Sequence, residues 1–167
     1  MKAKLIIEGK EIEVEISQKE YEKLIKKKIT GYERAAHNNT FYAVSNDGHV
    51  DDWVDRNYEV DERIYEEANY YTDKGLAEAN ARADKLMRNL RRFSAEHRSA
   101  ELRWRSNTLR KWFIQYDYDA NQIAPIYNIR TKYFGLICFE TEEIAEAAIK
   151  EFHDELIWYF TEYKDSL

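Results

Sequence analysis

The residues best suited to recognition chemistry stand in one acidic run. Between positions 47 and 67 the chain carries Asp47, Asp51, Asp52, Asp55, Glu59, Asp61, Glu62, Glu66 and Glu67. Trp53, Tyr58 and Tyr65 are interleaved with them, and Tyr70 and Tyr71 follow. Carboxylates steer a basic partner toward a surface, and aromatic rings supply contact area at small entropic cost. Asp51, Asp52, Trp53, Asp55, Tyr58, Glu66 and Glu67 are therefore the candidate partner-binding residues. The competing reading is a half-buried sheet whose outer face is simply acidic. A calcium site does not fit, because the ligand spacing of a calcium loop is absent and carboxylates along a strand point to alternate faces. Asp117 and Asp119 flank a strand end, where a solvated turn explains them better than a metal.

A basic group forms the second candidate. Arg88, Arg91, Arg92 and Arg98 fall in one helical stretch and could bind the phosphates of a nucleic acid. They could equally pair with the acidic run of the same chain. Catalytic chemistry has less to stand on. His37, His49, His97 and His153 are scattered without ligand spacing, and no nucleophile motif, glycine-rich phosphate loop or zinc pattern is present. Cys138 is the sole cysteine and lies in an apolar run with no histidine close in sequence, which marks it as a buried, inert thiol. The chain is expected to be non-catalytic, with no cofactor and no metal. A weaker alternative is an enzyme or small-ligand sponge with its site between two halves of the fold.

The whole-chain balance sets bounds on these readings. The chain has 167 residues, 44% of them hydrophobic and 14% aromatic, which is enough apolar area for a core. Its net charge of −6 is unevenly spread: residues 1–46 carry +2, 47–78 carry −8, 79–111 carry +7 and 112–167 carry −7. The acidic blocks on either side of the basic one would repel a polyanion, which favours a protein partner over nucleic acid. No stretch approaches the ~20 apolar residues of a membrane span, and the opening residues lead into a strand and not a signal peptide. No membrane partner and a cytoplasmic location are expected.

The elements that position these groups follow from periodicity. Residues 3–16 alternate as a hairpin turning at Gly9-Lys10. Ser17 and Glu20 form a capping box for a short helix bearing Tyr21, Leu24, Ile25 and Ile29, which Gly31 ends. Lys26, Lys27 and Lys28 complement its C-terminal dipole. Thr40–Val44 and His49–Val54 read as strands around an Asn46-Asp47-Gly48 turn, and Arg63–Tyr71 as a third. Trp112–Tyr118, Ile123–Ile129 and Tyr133–Phe139 repeat that order, with Pro125 marking an edge or bulge. After each set, Thr72 or Thr141 caps a helix that opens on Leu/Ile-Ala-Glu-Ala, with Asp73 or Glu142–Glu143 in its first turn. The spacing Leu76, Ala79, Ala83, Leu86, Leu90, Phe93, His97, Ala100, Trp104 predicts one continuous seam. That seam is longer than one small sheet covers, so its surplus is open to a homodimer. A second helix is expected from Glu142 to about Tyr163. The sum is an α+β chain: an N-terminal ββα subdomain (1–35), a βββα unit with a long basic helix (36–110) and a second βββα unit (111–167).

These patterns carry a resemblance. The aromatic hairpin with its Asn-Asp-Gly turn, then Ala-Asn-Tyr-Tyr-Thr-Asp-Lys-Gly-Leu-Ala-Glu-Ala and a basic helix, then Tyr-Phe-Gly-Leu-Ile-Cys-Phe-Glu-Thr-Glu-Glu-Ile-Ala-Glu-Ala-Ala, is similar over roughly residues 40–160 to small accessory proteins of phages and prophages of Gram-positive bacteria. Some phage accessory proteins of this size inhibit host defence, including CRISPR nucleases, often with acidic surfaces that occupy nucleic-acid sites. The resemblance implies such a class and transfers no functional residue. The expectation is a phage-type inhibitor of a host protein with a basic surface, such as a defence nuclease. A nucleic-acid-binding accessory protein using Arg88, Arg91, Arg92 and Arg98 is the alternative.

Overall fold

A computed structural model describes residues 2–7, 10–15, 17, 30–99 and 109–163 of the chain. Along them run strands β1 (Lys2–Ile7), β2 (Lys10–Glu15), β3 (Thr40–Val44) and β4 (Val50–Val54), then helices α1 (Glu59–Glu66) and α2 (Lys74–His97). Strands β5 (Lys111–Asp117) and β6 (Gln122–Asn128) and helices α3 (Glu142–Glu151) and α4 (His153–Thr161) follow. The fold is α+β, and the described strands form three antiparallel two-stranded sheets. The helix expected over residues 21–29, with Lys26, Lys27 and Lys28, lies outside the described residues, as do Ala100 and Trp104 of the seam.

The hairpins arise where alternation meets turn chemistry. In β1–β2, Leu5 stands opposite Ile12 and Ala3 opposite Val14. Between β3 and β4, the Asp47 carboxylate accepts hydrogen bonds from the Ser45 hydroxyl at 2.6 Å and the His49 amide at 3.3 Å, while Gly48 takes a φ of +88°. At the β5–β6 turn, Asp117 accepts from the amides of Asp119 and Ala120 at 2.9 and 3.0 Å, and so serves the turn. Pro125 stands opposite Ile114 on β6, a strand with one open edge among the described residues, where a missing N–H is tolerated.

Neither expected third strand forms. Over residues 63–71 the chain instead completes α1 and then makes a single β-bridge, Tyr71 to Tyr42. Residues 133–139 likewise contribute one bridge, Phe139 to Trp112. Helix wins in the first case for local reasons. Glu59, Asp61 and Glu62 occupy its first turn, where the dipole favours negative charge. The Asp61 carboxylate accepts the amides of Arg56 and Tyr58, both at 2.9 Å, and Ile64 packs onto the cluster of Phe41, Ala43 and Tyr70. The helix caps also differ in part from expectation. Thr141 does accept from Ile144 at 3.3 Å, but α2 is capped by Asp73, which accepts from Leu76 at 2.9 Å. Thr72 instead donates its amide to the Gly31 carbonyl at 2.7 Å.

Helix α2 is the spine, and its burial is not one seam. Ala83, Leu86, Leu90 and Phe93 are buried as the spacing predicts. Leu86, Leu90 and Phe93 make the larger core with Trp112, Phe139, Ala145, Ala148 and Leu156, so the middle of the seam is covered within the chain. Ala77 and Ala81 are also buried, and at 100° per residue they lie on roughly the opposite side of the helix. There α2 meets β3 and β4, and two alanines permit the close approach. The helix ends at His97, since Arg98 has extended backbone (φ −84°, ψ 141°).

The last helix is broken in two at Phe152 (φ −108°, ψ 21°), whose ring packs edge-on against Phe93 at 5.8 Å. Both flanking hydrogen bonds survive, Phe152 to Ala148 and Leu156 to Phe152, so the break is a bend and not a change of course. A surface clamp ties α4 to α2: Arg82 forks onto Glu155 at 2.8 and 3.2 Å and lies over the Trp158 ring at 3.9 Å.

Gly31 joins the start of α2 to the chain before β3. Its φ of +89° favours glycine, and a Cβ there would stand 2.7 Å from Leu76 Cδ2 and 3.2 Å from Asp73 Cβ. Gly48 has a similar φ of +88° with open space around it. Gly31→Ala should therefore cost about 1–3 kcal/mol, lowering Tm by several degrees, while Gly48→Ala costs only the backbone part, about 1 kcal/mol. Equal losses in urea denaturation would show that the Leu76 contact is not what makes Gly31 necessary.

Candidate functional site

The acidic run rests on an internal ion pair that its own sequence conceals. Asp55, just past β4, is fully buried and is therefore not a surface contact, contrary to expectation. Arg34 reaches it across 21 residues, with Nε 2.5 Å from Oδ2 and Nη2 3.3 Å from Oδ1. The Tyr70 hydroxyl donates to Oδ2 at 2.8 Å and accepts the Ala35 amide at 3.1 Å, while the Asn57 amide donates to Oδ1 at 2.8 Å. Arg34 spends its remaining nitrogen on Glu62 of α1 at 2.6 Å. Tyr70 stacks flat on Phe41, with centroids 4.0 Å apart. These bonds hold the Asp55 carboxyl down at about 2, with Arg34 the leading cause. Burial and the same carboxylate push the Tyr70 phenol up to about 12.

On this frame the other acids of the predicted contact set face water. Asp51, Asp52, Glu66 and Glu67 are exposed, and among the described residues none has an ion-pair partner. Trp53 and Tyr58 are 45% and 58% exposed. The register divides the set. Asp51 and Trp53 share the sheet face of Ala43 and Phe41, whereas Asp52 lies opposite Tyr42 on the other face. What unites Asp51, Asp52 and Trp53 is the edge: β3 takes the Tyr71 bridge, and the outer side of β4 has no partner among the described residues. Glu66 and Glu67, at the end of α1, lie toward the β3 side instead, where Asn69 bonds the Val44 backbone.

The basic set is also only partly gathered. Arg88, Arg91 and Arg92 are exposed on α2, on the side that Ala77 and Ala81 occupy nearer its start. Arg98 lies past the helix end. Among the described residues neither Arg88 nor Arg91 has an acidic partner, so these arginines do not neutralise the acidic run. A groove of about 1110 Å³ runs between the β3–β4 turn, the end of α1 and the middle of α2. It brings Glu67 and Arg88, one member of each predicted set, into the same lining, together with Asp47, Asp84, Arg82 and Lys85.

Among the described residues no group of three or more His, Cys, Asp or Glu is arranged to hold a metal ion. Burial pushes the Cys138 thiol up to about 11, which keeps it protonated and weakly nucleophilic. No described helix is long and apolar enough to cross a membrane. The network residues Arg34, Asp61 and Tyr70 escape sequence reasoning because they bond across loops and carry no periodicity. The chain matches no known family, no curated protein and no solved structure.

Removing Arg34 leaves a buried carboxylate without its main partner, so Arg34→Ala should cost about 3–5 kcal/mol. The pH dependence has a definite sign. Because the Asp55 carboxyl is depressed to about 2 in the folded state, its contribution is present above the ordinary value near 4 and is lost as pH falls from there through about 2. Asp55→Asn should flatten that acid limb in a stability–pH profile. An unchanged limb would show that the ion pair does not set acid stability.

Proposed function

We propose that the protein is a non-catalytic binding protein that takes a basic segment of a protein partner on the acidic, aromatic edge of β4. The observation that carries this reading is the pair of exposed β4 carboxylates, Asp51 and Asp52, left without internal cations on the strand that also exposes Trp53, with further unpaired acids, Glu66 and Glu67, at the end of α1. Their field accelerates encounter with a positively charged surface, and the aromatic rings supply the contact that slows departure. An open strand edge can receive an extended segment through main-chain hydrogen bonds. Such a partner strand contacts side chains on both faces of the sheet at once, so the division of Asp51 from Asp52 becomes a means of gripping from two sides. Acids on the edge also make two copies repel, which suppresses self-pairing. The buried Arg34–Asp55 pair keeps β4 and α1 rigid, so little ordering entropy is lost on binding.

With the resemblance to phage accessory proteins, the partner would be a host protein with a basic surface, such as a defence nuclease, met in the bacterial cytoplasm. The acidic edge would then occupy the place where nucleic acid binds.

A defined peptide probe tests the edge whatever the partner's identity. An extended peptide of alternating Lys and Val should bind with an affinity that falls as salt is added, and its Glu-for-Lys counterpart should not bind. Asp51→Lys with Asp52→Lys should slow association by about tenfold or more at low salt, and Trp53→Ala should mainly speed dissociation. Binding that ignores both changes in surface plasmon resonance would end the proposal.

A further inference from the structure

We propose that the loop 129–136, together with the exposed side of α2, is a binding site for single-stranded nucleic acid, separate from the acidic edge. After β6 the chain does not form a strand but projects Tyr133 and Phe134 in a turn closed by Gly135 at a φ of +73°. Tyr133 is 53% exposed and rests against Phe113, with centroids 6.4 Å apart. Phe134 is exposed in full, at 107%, while its neighbour anchors the turn. A lone exposed aromatic needs no explanation. Here the ring stands between two hollows of different chemistry. On one side Arg91 and Lys132 line a hollow of about 540 Å³ with Tyr133 and Phe134. On the other, Phe134 borders an apolar hollow of about 220 Å³ with Met87, Leu90 and Ile114.

That arrangement fits a strand of nucleotides better than other occupants. Every base has a π-face, so an exposed ring offers sequence-tolerant stacking, and the cations beside it meet the phosphates. The apolar hollow gives an unstacked base a dry place to lie. Arg92, next to Arg91 on the exposed side of α2, extends the track. No carboxylate lines either hollow, in contrast to the mixed-charge groove at the hairpin end of α2. The acidic blocks, which in sequence flank the basic one, therefore do not intrude on this spot. A duplex hides its base faces and gains nothing from Phe134, so single strands are preferred.

Fluorescence anisotropy of the full-length protein with labelled oligonucleotides of about twelve nucleotides, DNA and RNA, single- and double-stranded, tests the proposal at low salt. Single strands of one or both sugars should bind in the micromolar range and duplexes at least tenfold more weakly. Phe134→Ala should weaken binding by roughly tenfold, from the loss of one stacked base, and Phe134→Trp should retain it. Phe134 buries nothing, so neither change threatens the fold. Arg91→Ala should weaken binding and flatten the log–log salt slope by about 0.7. Absence of binding, equal binding of duplexes or indifference to Phe134→Ala would overturn the proposal. So would Phe134-dependent uptake on phosphatidylserine vesicles, or Phe134-dependent self-association, without oligonucleotide binding.

Discussion

A single buried carboxylate holds the first half of the molecule together. Asp55 draws in Arg34 from the chain before β3, Tyr70 from the segment before α2, and the Asn57 amide at the approach to α1. Each donor comes from a different piece of chain, so one charge fixes three connections. A buried ion pair gains little over an apolar replacement of equal shape, because desolvation offsets attraction. Its value here is directional. Four donors converge on two oxygens in one geometry only, and Phe41 stacks beneath to complete it. The hairpin β3–β4 and helix α1 are thereby set at a defined angle around the small cluster of Phe41, Ala43, Tyr70 and Ile64.

That economy explains which parts of the fold are legible in sequence. β3 and its turn read directly, because alternation and the Asn-Asp-Gly signal are local. Ala83, Leu86, Leu90 and Phe93 read directly too, because helical spacing is local. Helix α1 is hidden by Ile64, Tyr65, Tyr70 and Tyr71, whose β preference suggests a strand. Its decisive feature, the Asp61 carboxylate reaching back to two amides, becomes visible only in three dimensions. Ala77 and Ala81 are hidden for another reason. Alanine is a good helix former at any exposure, so its burial leaves no mark on the pattern.

The candidate sites show the same division. Acids and arginines are legible as types, but nothing in the order of residues marks which of them are spent internally. Asp55 is spent and Asp51 is not, although four positions separate them on one stretch of chain. Arg91 and Arg92 lie outside the groove that the hairpin tip lines, and Arg88, within that lining, makes no ion pair. For Tyr133 and Phe134 the pattern suggests a strand start, where alternation would turn one ring inward. With the strand reduced to the Phe139 bridge, both rings are left at the surface.

Burial on opposite sides of α2 has a thermodynamic corollary. A helix packed on one side only can detach with its partner layer and leave the rest standing. α2 has no such option: its alanine side closes the β3–β4 half and its leucine side closes the β5–β6 half. Melting either half strips a buried face from the helix that the other half needs. Sub-global opening is thereby discouraged, and the two halves share one cooperative unit despite lacking a common sheet. A ligand that stabilises one end accordingly tightens the other without any movement passing between them, since both draw on the same helix remaining folded.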